Sequence, residues 1–484
     1  MNSLRNDTAI YGLAQAGERL LSFFLLPLLT KAVSPADYAI WTQSVVVAGV
    51  LVPIVLLGFQ TALVKCLPVW SATPRRRDSM LLAMLLAILG LLSLLALGMV
   101  LYAAPMAMLV FGAARHADFI PLLACLLVSE ALFEFLVGIL RGNGLIRRVA
   151  LYGLLKGFWR IALLVILLDV AGTGFATAFA GFVLLQLLFV ALMYGRDLPI
   201  GQLAQTGLAT GRPHWRETLA FSLPLVPLAL LTAINNFSDR FFLIHLHGLD
   251  EAAIYSAAYS LAAIAIVFYS VLGFTLFPAL SRYWAEGRHE QAGRLLVQAI
   301  SVYLFFLFPF IAGLSMVGPG LLPLLSTTSY VASAWLFLVL GTSIGLFGLY
   351  QIALYITLLG DGSLRNLKPM ATSALIAIAL NALLVAPLGG IGAALAGCAA
   401  NAVLAAITLH RAKRLLAWRF PWRTGAHILA RTFLMLAVLA ALARWVGFAS
   451  PLRLLAVVSF AALTYLVLDV FSRRESILAL LKNR

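Results

Sequence analysis

Apolar runs of roughly 20 residues recur along the whole chain, and this repetition limits the possible folds more than any other feature. A helix rises 1.5 Å per residue, so about 20 apolar residues cross a hydrocarbon core of roughly 30 Å. A membrane barrel would instead show segments of about 10 residues with alternating polarity, and these are absent from the sequence. Only 11% of the 484 residues are charged and 63% are hydrophobic, which leaves too little polar surface for a soluble protein. We therefore predict an all-α polytopic membrane protein.

The apolar runs predict about 14 transmembrane helices, with 12 as the alternative number. The predicted helices cover residues 8–30, 38–60, 79–101, 118–140, 149–168, 174–194, 217–240, 252–276, 296–317, 331–359, 369–386, 390–410, 428–447 and 452–471.

The basic residues are strongly biased to one side of these helices. The net charge is +16, and 25 Lys and Arg side chains fall on the N-terminal segment, the even-numbered loops and the C-terminal tail. The odd-numbered loops and the helix ends beside them carry four, namely Lys31, Arg115, Arg444 and Arg453. Basic loops stay on the cytoplasmic side of a membrane, so we predict that both termini are cytoplasmic. The positive charge then needs no nucleic acid to explain it.

A weak internal repeat divides the chain. The segment "PADYAIWT" (35–42) aligns with "LDEAAIYS" (249–256) at an offset of 214, and Trp70 matches Trp284 at the same offset. Blocks of six helices keep the same orientation, so we expect two six-helix lobes related by a pseudo-twofold axis along the membrane normal. The predicted division is an N-lobe (1–195), a cytoplasmic loop (196–216), a C-lobe (217–410), and a basic loop with two further helices (411–484).

Four stretches of the chain carry a resemblance to a known family. They are "LLTKAVSPADYAIW", "ALFEFLVGILRGNG", "FSLPLVPLALLTAINNFSDRFFLIHLHGLDEAAIYSAAYSLAAI" and "FPALSRYWAEGRHEQAGRLL". These resemble the polysaccharide-biosynthesis flippases (Wzx type), which belong to the superfamily of MATE multidrug exporters and the lipid II flippase (MOP superfamily). The resemblance covers residues 1–410 and is densest over 218–295.

The resemblance implies a V-shaped pair of six-helix bundles in the bacterial inner membrane. Such a protein moves an undecaprenyl-diphosphate-linked oligosaccharide across the membrane by alternating access, for exopolysaccharide, capsule or O-antigen synthesis. The implied partners are the lipid-linked oligosaccharide, membrane lipids and other polysaccharide assembly proteins.

Four charged residues lie near mid-membrane depth on two neighbouring predicted helices. Glu130 and Arg160 are each about 16 Å deep, Glu134 lies one turn beyond Glu130, and Lys156, about 10 Å deep, lies one turn before Arg160 on the antiparallel helix. Matching heights predict the pairs Glu130–Arg160 and Glu134–Lys156. Two interpretations remain open: salt bridges that only hold the helices together, or a cavity in which Lys156 and Arg160 bind the substrate diphosphate.

Three further residues are candidates for the transport site. Glu18 and Arg19 lie on the first helix, about 15 Å from the inner face of the membrane. They are about 100° apart around the helix axis. Arg19 could bind a diphosphate through two nitrogens, and Glu18 could bind a coupling proton or sodium ion. Arg141 falls at the cytoplasmic end of the fourth helix, where substrate binding and a positive-inside anchor are both compatible with it.

The adjacent charges Asp239 and Arg240 lie about 33 Å along the seventh helix, at the outer interface. The two hypotheses for this pair are a periplasmic gate and a snorkelling anchor. Asn235, Asn236, Asn381 and Asn401 could contact sugar hydroxyls or make hydrogen bonds between helices, and we predict the hydrogen bonds.

Enzyme and cofactor motifs are absent from the sequence. There is no GxxxxGK[ST], HExxH or CxxC, and the two histidines His245 and His247 do not suffice for a metal site. We expect a transporter without a cofactor, driven by an ion gradient (H⁺ or Na⁺), the membrane potential, or consumption of the product. The alternatives are a MATE-like cation-coupled drug exporter and, in another class, a membrane-embedded glycan polymerase or ligase.

Overall fold

The computed structural model is all-helical in every part of the chain that it describes. It describes residues 23–70, 74–198, 215–362, 364–446 and 451–472, with the single positions 12, 14, 17, 18, 21, 201, 203 and 205. Packing contacts divide the chain into two units, one formed by residues 1–256 and 363–400 and the other by 257–362 and 401–484.

Among the described residues, eight helices precede the predicted cytoplasmic loop (196–216). They are α1 (Phe23–Ala32), α2 (Pro35–Val55), α3 (Phe59–Trp70), α4 (Pro74–Leu101), α5 (Ala103–Phe111), α6 (Phe119–Gly142), α7 (Ile146–Leu164) and α8 (Phe175–Asp197). Nine follow it. They are α9 (Trp215–Ser222), α10 (Leu225–His247), α11 (Leu249–Ala262), α12 (Ala265–Ala285), α13 (His289–Leu325), α14 (Ala334–Asp361), α15 (Leu367–Leu415), α16 (Trp422–Val446) and α17 (Pro451–Ser472).

The predicted fold class is confirmed. Among the described residues, eleven helices are long and apolar enough to cross a membrane, and Phe23–Ala32 and Val458–Val467 are shorter apolar helices. The long helix α15 is broken at Gly389, so it accounts for two of the predicted segments. The described part of each predicted run is mainly helical. Turns interrupt three of the runs, namely 38–60 at residues 56–58, 217–240 at 223–224 and 252–276 at 263–264, so each of these three spans two helices.

The break in α15 has a clear local cause. Pro387 precedes it, and Gly389 has a φ of +53°, a conformation that glycine adopts without a steric penalty. The backbone N–H of Gly390 donates to the Glu251 carboxylate at 2.8 Å. The first N–H of the second half of α15 therefore has an acceptor, although it has none within the helix. A Cβ atom on Gly389 would lie 2.2 Å from Glu251 Oε1, so a side chain here would require the Glu251 carboxylate to move.

Helix α6 is the most enclosed helix of the first unit. It packs against α2, α3, α4 and α8, and two-thirds of its most apolar stretch is buried. Helix α7 touches both α6 and α8 but exposes the apolar side chains Leu151, Leu155 and Phe158. An α6 side chain that points toward α7 and α8 is therefore enclosed by protein on several sides.

In the second unit, α13 packs against α12, α14 and α16, while α17 packs on α16. Arg431 and Asp469 form an ion pair between α16 and α17. The Tyr465 hydroxyl donates to the Phe305 carbonyl of α13 at 2.9 Å. The last two helices are thus joined to the rest of the unit by polar contacts as well as by apolar packing.

The predicted role is confirmed for Asn235, Asn381 and Asn401. Ser373 Oγ donates to Asn235 Oδ1 at 2.5 Å, and Asn381 Nδ2 donates to Ser238 Oγ at 3.2 Å. Both bonds join α10 to the first half of α15. In the second unit, Asn401 Nδ2 donates to the Ser343 hydroxyl at 3.1 Å and so links α15 to α14.

Candidate functional site

Glu130 on α6 is the shared acceptor of a buried polar cluster in the first unit. Lys156 Nζ lies 2.5 Å from its Oε2, and Arg160 Nη2 lies 3.1 Å from its Oε1. Lys156 and Arg160 are one turn apart on α7, so both side chains reach the same carboxylate. The side chain of Lys156 is 9% exposed, and those of Glu130 and Arg160 are 18% exposed.

A third helix completes this cluster. Gln186 of α8 donates from Nε2 to Glu130 Oε1 at 3.0 Å and to Ser129 Oγ at 3.1 Å. Glu130 therefore accepts from three side chains, and α6, α7 and α8 meet at one carboxylate. We call Glu130, Lys156, Arg160 and Gln186 the Glu130 cluster.

The predicted pair Glu134–Lys156 is wrong. Lys156 makes its ion pair with Glu130, whereas Glu134 Oε2 accepts from Gln60 Nε2 of α3 at 2.5 Å. Glu134 does lie one turn from Glu130, but its partner is a neutral amide of α3. The predicted pair Glu130–Arg160 is present in the structure.

Sequence reasoning missed both glutamine partners, although a signal for Gln186 exists. It stands within "FVLLQLLFVAL", where every neighbour for several residues is apolar. An amide side chain in such a run is unfavourable in hydrocarbon unless another polar group meets it. No comparable rule identifies which helix supplies the partner.

The cations of the cluster keep unused binding capacity. Arg160 Nε is buried and has no hydrogen-bond partner among the described residues. Lys156 Nζ also lies 4.1 Å from the centre of the Phe133 ring, a cation–π contact. Two cations face one carboxylate here, so Glu130, Lys156 and Arg160 together carry one formal positive charge.

Glu18 lies beside α7. Its Oε2 atom is 3.2 Å from the position that a Cβ on Gly153 would occupy, and its charge acts on Glu134. Glu18 is thus close to α7 and to Glu134, in the same region as the Glu130 cluster. Arg19, the predicted diphosphate ligand next to it, lies outside the described residues.

Arg141 is separate from the Glu130 cluster. It is exposed in the last turn of α6, eleven residues beyond Glu130, which corresponds to roughly 16 Å along the helix axis. Its position at a helix end agrees with the predicted anchor. Its predicted part in substrate binding stays a prediction.

Asp239 and Arg240 are buried, which rules out the snorkelling anchor as the explanation for them. They are 9% and 6% exposed, respectively. The Tyr255 hydroxyl donates to Asp239 Oδ2 at 2.5 Å, and Arg240 Nε donates to Ser256 Oγ at 3.2 Å. The two charges therefore join α10 to α11. A periplasmic gate formed by this pair stays a prediction.

No obvious metal site accompanies these residues. Within the described ranges, no group of three or more His, Cys, Asp or Glu side chains lies close enough together to hold a metal ion.

Solved structures of transporters share this fold. The lipid II flippase MurJ in an inward closed conformation matches 97% of this chain and 100% of its own, with a TM-score of 0.75 and 14% identity. An inward-facing multidrug resistance MATE family transporter of the MOP superfamily matches 84% of this chain and 95% of its own, with a TM-score of 0.64 and 16% identity.

A MOP superfamily transporter from Pyrococcus furiosus, described as having a binding pocket of reverse polarity, matches 84% of this chain and 96% of its own. Its TM-score is 0.55 and its identity is 16%. At such identities these likenesses show the fold alone. Among curated protein sequences, none matches significantly.

The family comparison is more specific than the structural one. The sequence model described as "Polysaccharide biosynthesis protein" matches residues 4–284, which is more than half of the chain. This range includes the whole Glu130 cluster, Glu134, and the pair Asp239–Arg240. The chain therefore belongs to the polysaccharide biosynthesis protein family.

Proposed function

We propose that this protein is a flippase for undecaprenyl-diphosphate-linked oligosaccharide repeat units. It works in the bacterial inner membrane with both termini in the cytoplasm, by alternating access, and serves exopolysaccharide, capsule or O-antigen synthesis. Family membership and the transporter fold support this function, as does the positive-inside charge bias.

The observation that carries the proposal is the convergence of Lys156 and Arg160 on one carboxylate. A single carboxylate balances only one of the two cations, and Arg160 Nε has no partner among the described residues. A diphosphate offers several oxygens and more than one negative charge, and a guanidinium binds phosphate oxygens through two nitrogens. In our proposal the diphosphate takes the second charge, while Glu130 and Gln186 hold the two cations in place.

Glu134 and Glu18 are the groups that we propose for ion coupling. The partner of Glu134 is an amide, so binding a proton or a sodium ion there does not have to break an ion pair. Glu18 is near enough to act on Glu134 electrostatically. Exchange of a cation at these carboxylates would change the charge next to Lys156 and would thereby link the gradient to substrate release.

A cation-coupled drug exporter is the second candidate, and the fold shared with a MATE family transporter favours it. The sequence places three carboxylates (Glu18, Glu130, Glu134) and three cations (Arg19, Lys156, Arg160) at similar depths, so the charge of this region is compatible with a cationic substrate. A drug exporter would not require Lys156 or Arg160 to bind an anion.

The decisive experiment identifies what accumulates when the gene is deleted. The flippase proposal expects a lipid-linked oligosaccharide in the cytoplasmic leaflet, measured by extraction and mass spectrometry with and without a membrane-impermeant glycosidase. Plasmid-borne wild-type protein should remove the accumulated lipid. Unchanged polysaccharide export in the deletion strain, together with increased sensitivity to cationic drugs, would favour the exporter.

A further inference from the structure

A large apolar cavity lies within the second unit, away from the Glu130 cluster in sequence. It has a volume of about 1280 Å³ and is lined by α13, α14, the second half of α15 and α16. Leu307, Ile311, Leu346 and Phe433 are typical of its lining. Ligand pockets usually measure about 300–1,000 Å³, so this one has room for long apolar chains.

One end of this cavity is basic. His410, Lys413 and Arg419 line it there, together with Trp418. All four come from the segment "HRAKRLLAWRFPWR" (410–423), which runs from the end of α15 to the start of α16. The described lining residues include no Asp or Glu. The cavity therefore combines an apolar interior with an end that attracts anions.

The cations at this end are not used by the protein itself. Lys413 and Arg419 are exposed and form no ion pair among the described residues. Their neighbour Arg411 differs, because it pairs with Asp361 at 2.6 Å. The positive charge at the cavity end thus lacks a counter-ion from the described chain.

A buried donor also points to a ligand. Trp418 is only 8% exposed, and its indole Nε1 has no hydrogen-bond partner among the described residues. Buried N–H groups nearly always have an acceptor, so an orphaned one marks a missing partner. Trp418 lines the cavity, so an acceptor that enters beside Lys413 and Arg419 would lie next to this ring.

We propose that this cavity binds an anionic phospholipid of the bilayer, with acyl chains in the apolar interior and the headgroup phosphate at Lys413, Arg419 and the Trp418 indole. Basic pockets between transmembrane helices are known to bind anionic headgroups, chiefly on the cytoplasmic side, where this basic segment is predicted to lie. Aromatic residues mark the same interface, and the rings of Phe420 and Trp422 lie 4.5 Å apart beside the pocket. This inference does not depend on the proposed flippase function.

The test measures lipid retention by the full-length protein in detergent. The delipidated protein receives phosphatidylglycerol and phosphatidylcholine in equal amounts, and native mass spectrometry counts the lipids that stay bound. We expect a preference for phosphatidylglycerol. The double variant Lys413→Ala/Arg419→Ala should lower its retention about thirtyfold, because each of the two basic residues contributes about 1 kcal/mol to binding an anionic lipid. Trp418→Phe, which keeps the ring and removes the donor, should lower it several-fold.

The matched control is Arg414→Ala/Arg423→Ala, which removes two exposed basic residues of the same segment that do not line the cavity. It should leave retention unchanged. Equal loss in both double variants, or equal retention of the two phospholipids, would overturn the proposal. A third arm offers undecaprenyl phosphate: if this lipid is retained at Lys413 and Arg419 while phosphatidylglycerol is not, the phospholipid assignment is wrong.

Discussion

Lys156 Nζ lies 2.5 Å from Glu130 Oε2, whereas its estimated depth places it opposite Glu134. Glu130 consequently serves both cations of α7 and also accepts from Gln186. Removal of the acceptor and removal of one donor should therefore have different consequences. The first leaves two buried cations without their carboxylate, and the second leaves the carboxylate with two donors.

Arg160→Ala should abolish polysaccharide export while the protein still reaches the membrane. Glu130 keeps Lys156 and Gln186 as donors, so we expect little loss of stability, but the proposed diphosphate ligand is gone. The measurement is complementation of a deletion strain, with immunoblotting of the membrane fraction. Arg196→Ala is the control, since this residue is exposed in the last turn of α8 and is not among the predicted site residues. Full complementation by Arg160→Ala would falsify the diphosphate role.

Glu130→Ala should act on stability instead. Removing one partner from a buried ion pair typically costs about 3–5 kcal/mol, and here two cations lose the same partner. We expect a lower thermal unfolding temperature in detergent and less protein in the membrane.

The triple variant Glu130→Leu/Lys156→Leu/Arg160→Leu separates structure from transport. Replacing a buried ionic group by apolar side chains is often neutral or stabilising, so stability should recover relative to Glu130→Ala. Transport should stay absent. If the triple variant exports polysaccharide, the cluster only holds the helices together.

The sequence predicts the Glu130 cluster only in part, for a physical reason. The bilayer limits helix length, so the apolar runs predict the helices, and a charge inside a run predicts a polar partner. Which carboxylate Lys156 contacts depends on a height difference of about one helical turn. Glu130 and Glu134 share a face of α6, and the flexible Lys156 side chain can reach past one turn. Gln60 and Gln186 lie on α3 and α8. Their contacts with α6 depend on how these helices pack, which the sequence pattern alone does not determine.

Glu134→Gln should uncouple transport from the ion gradient. The amide still accepts a hydrogen bond from Gln60, so the contact between α6 and α3 survives, but the group no longer exchanges a cation. In proteoliposomes, substrate movement should lose its dependence on an imposed proton or sodium gradient. The control is Gln60→Ala, which disturbs the same contact and keeps the carboxylate. Gradient dependence that persists in Glu134→Gln means that Glu134 is not the coupling group.

Tyr255→Phe should weaken the junction between α10 and α11. It removes the hydroxyl that donates to Asp239 and leaves one buried carboxylate oxygen short of a donor, at a cost of about 1–3 kcal/mol. Thermal unfolding measures this loss. If the pair also forms a gate, export should fall further than membrane abundance does. Export that follows abundance alone would assign Asp239 and Arg240 a purely structural role.

Gly389→Ala should destabilise the first unit through two separate effects. An alanine at a φ of +53° is strained by about 1–3 kcal/mol, and its Cβ would meet the Glu251 carboxylate at 2.2 Å. Glu251→Ala alone removes the acceptor for Gly390 N–H, which should lower stability by about 1 kcal/mol, as for the loss of a helix cap. The double variant keeps the backbone strain but relieves the steric contact, so its unfolding temperature should be higher than the sum of the single effects implies. Strict additivity of the two changes in thermal unfolding would show that Glu251 does not crowd position 389.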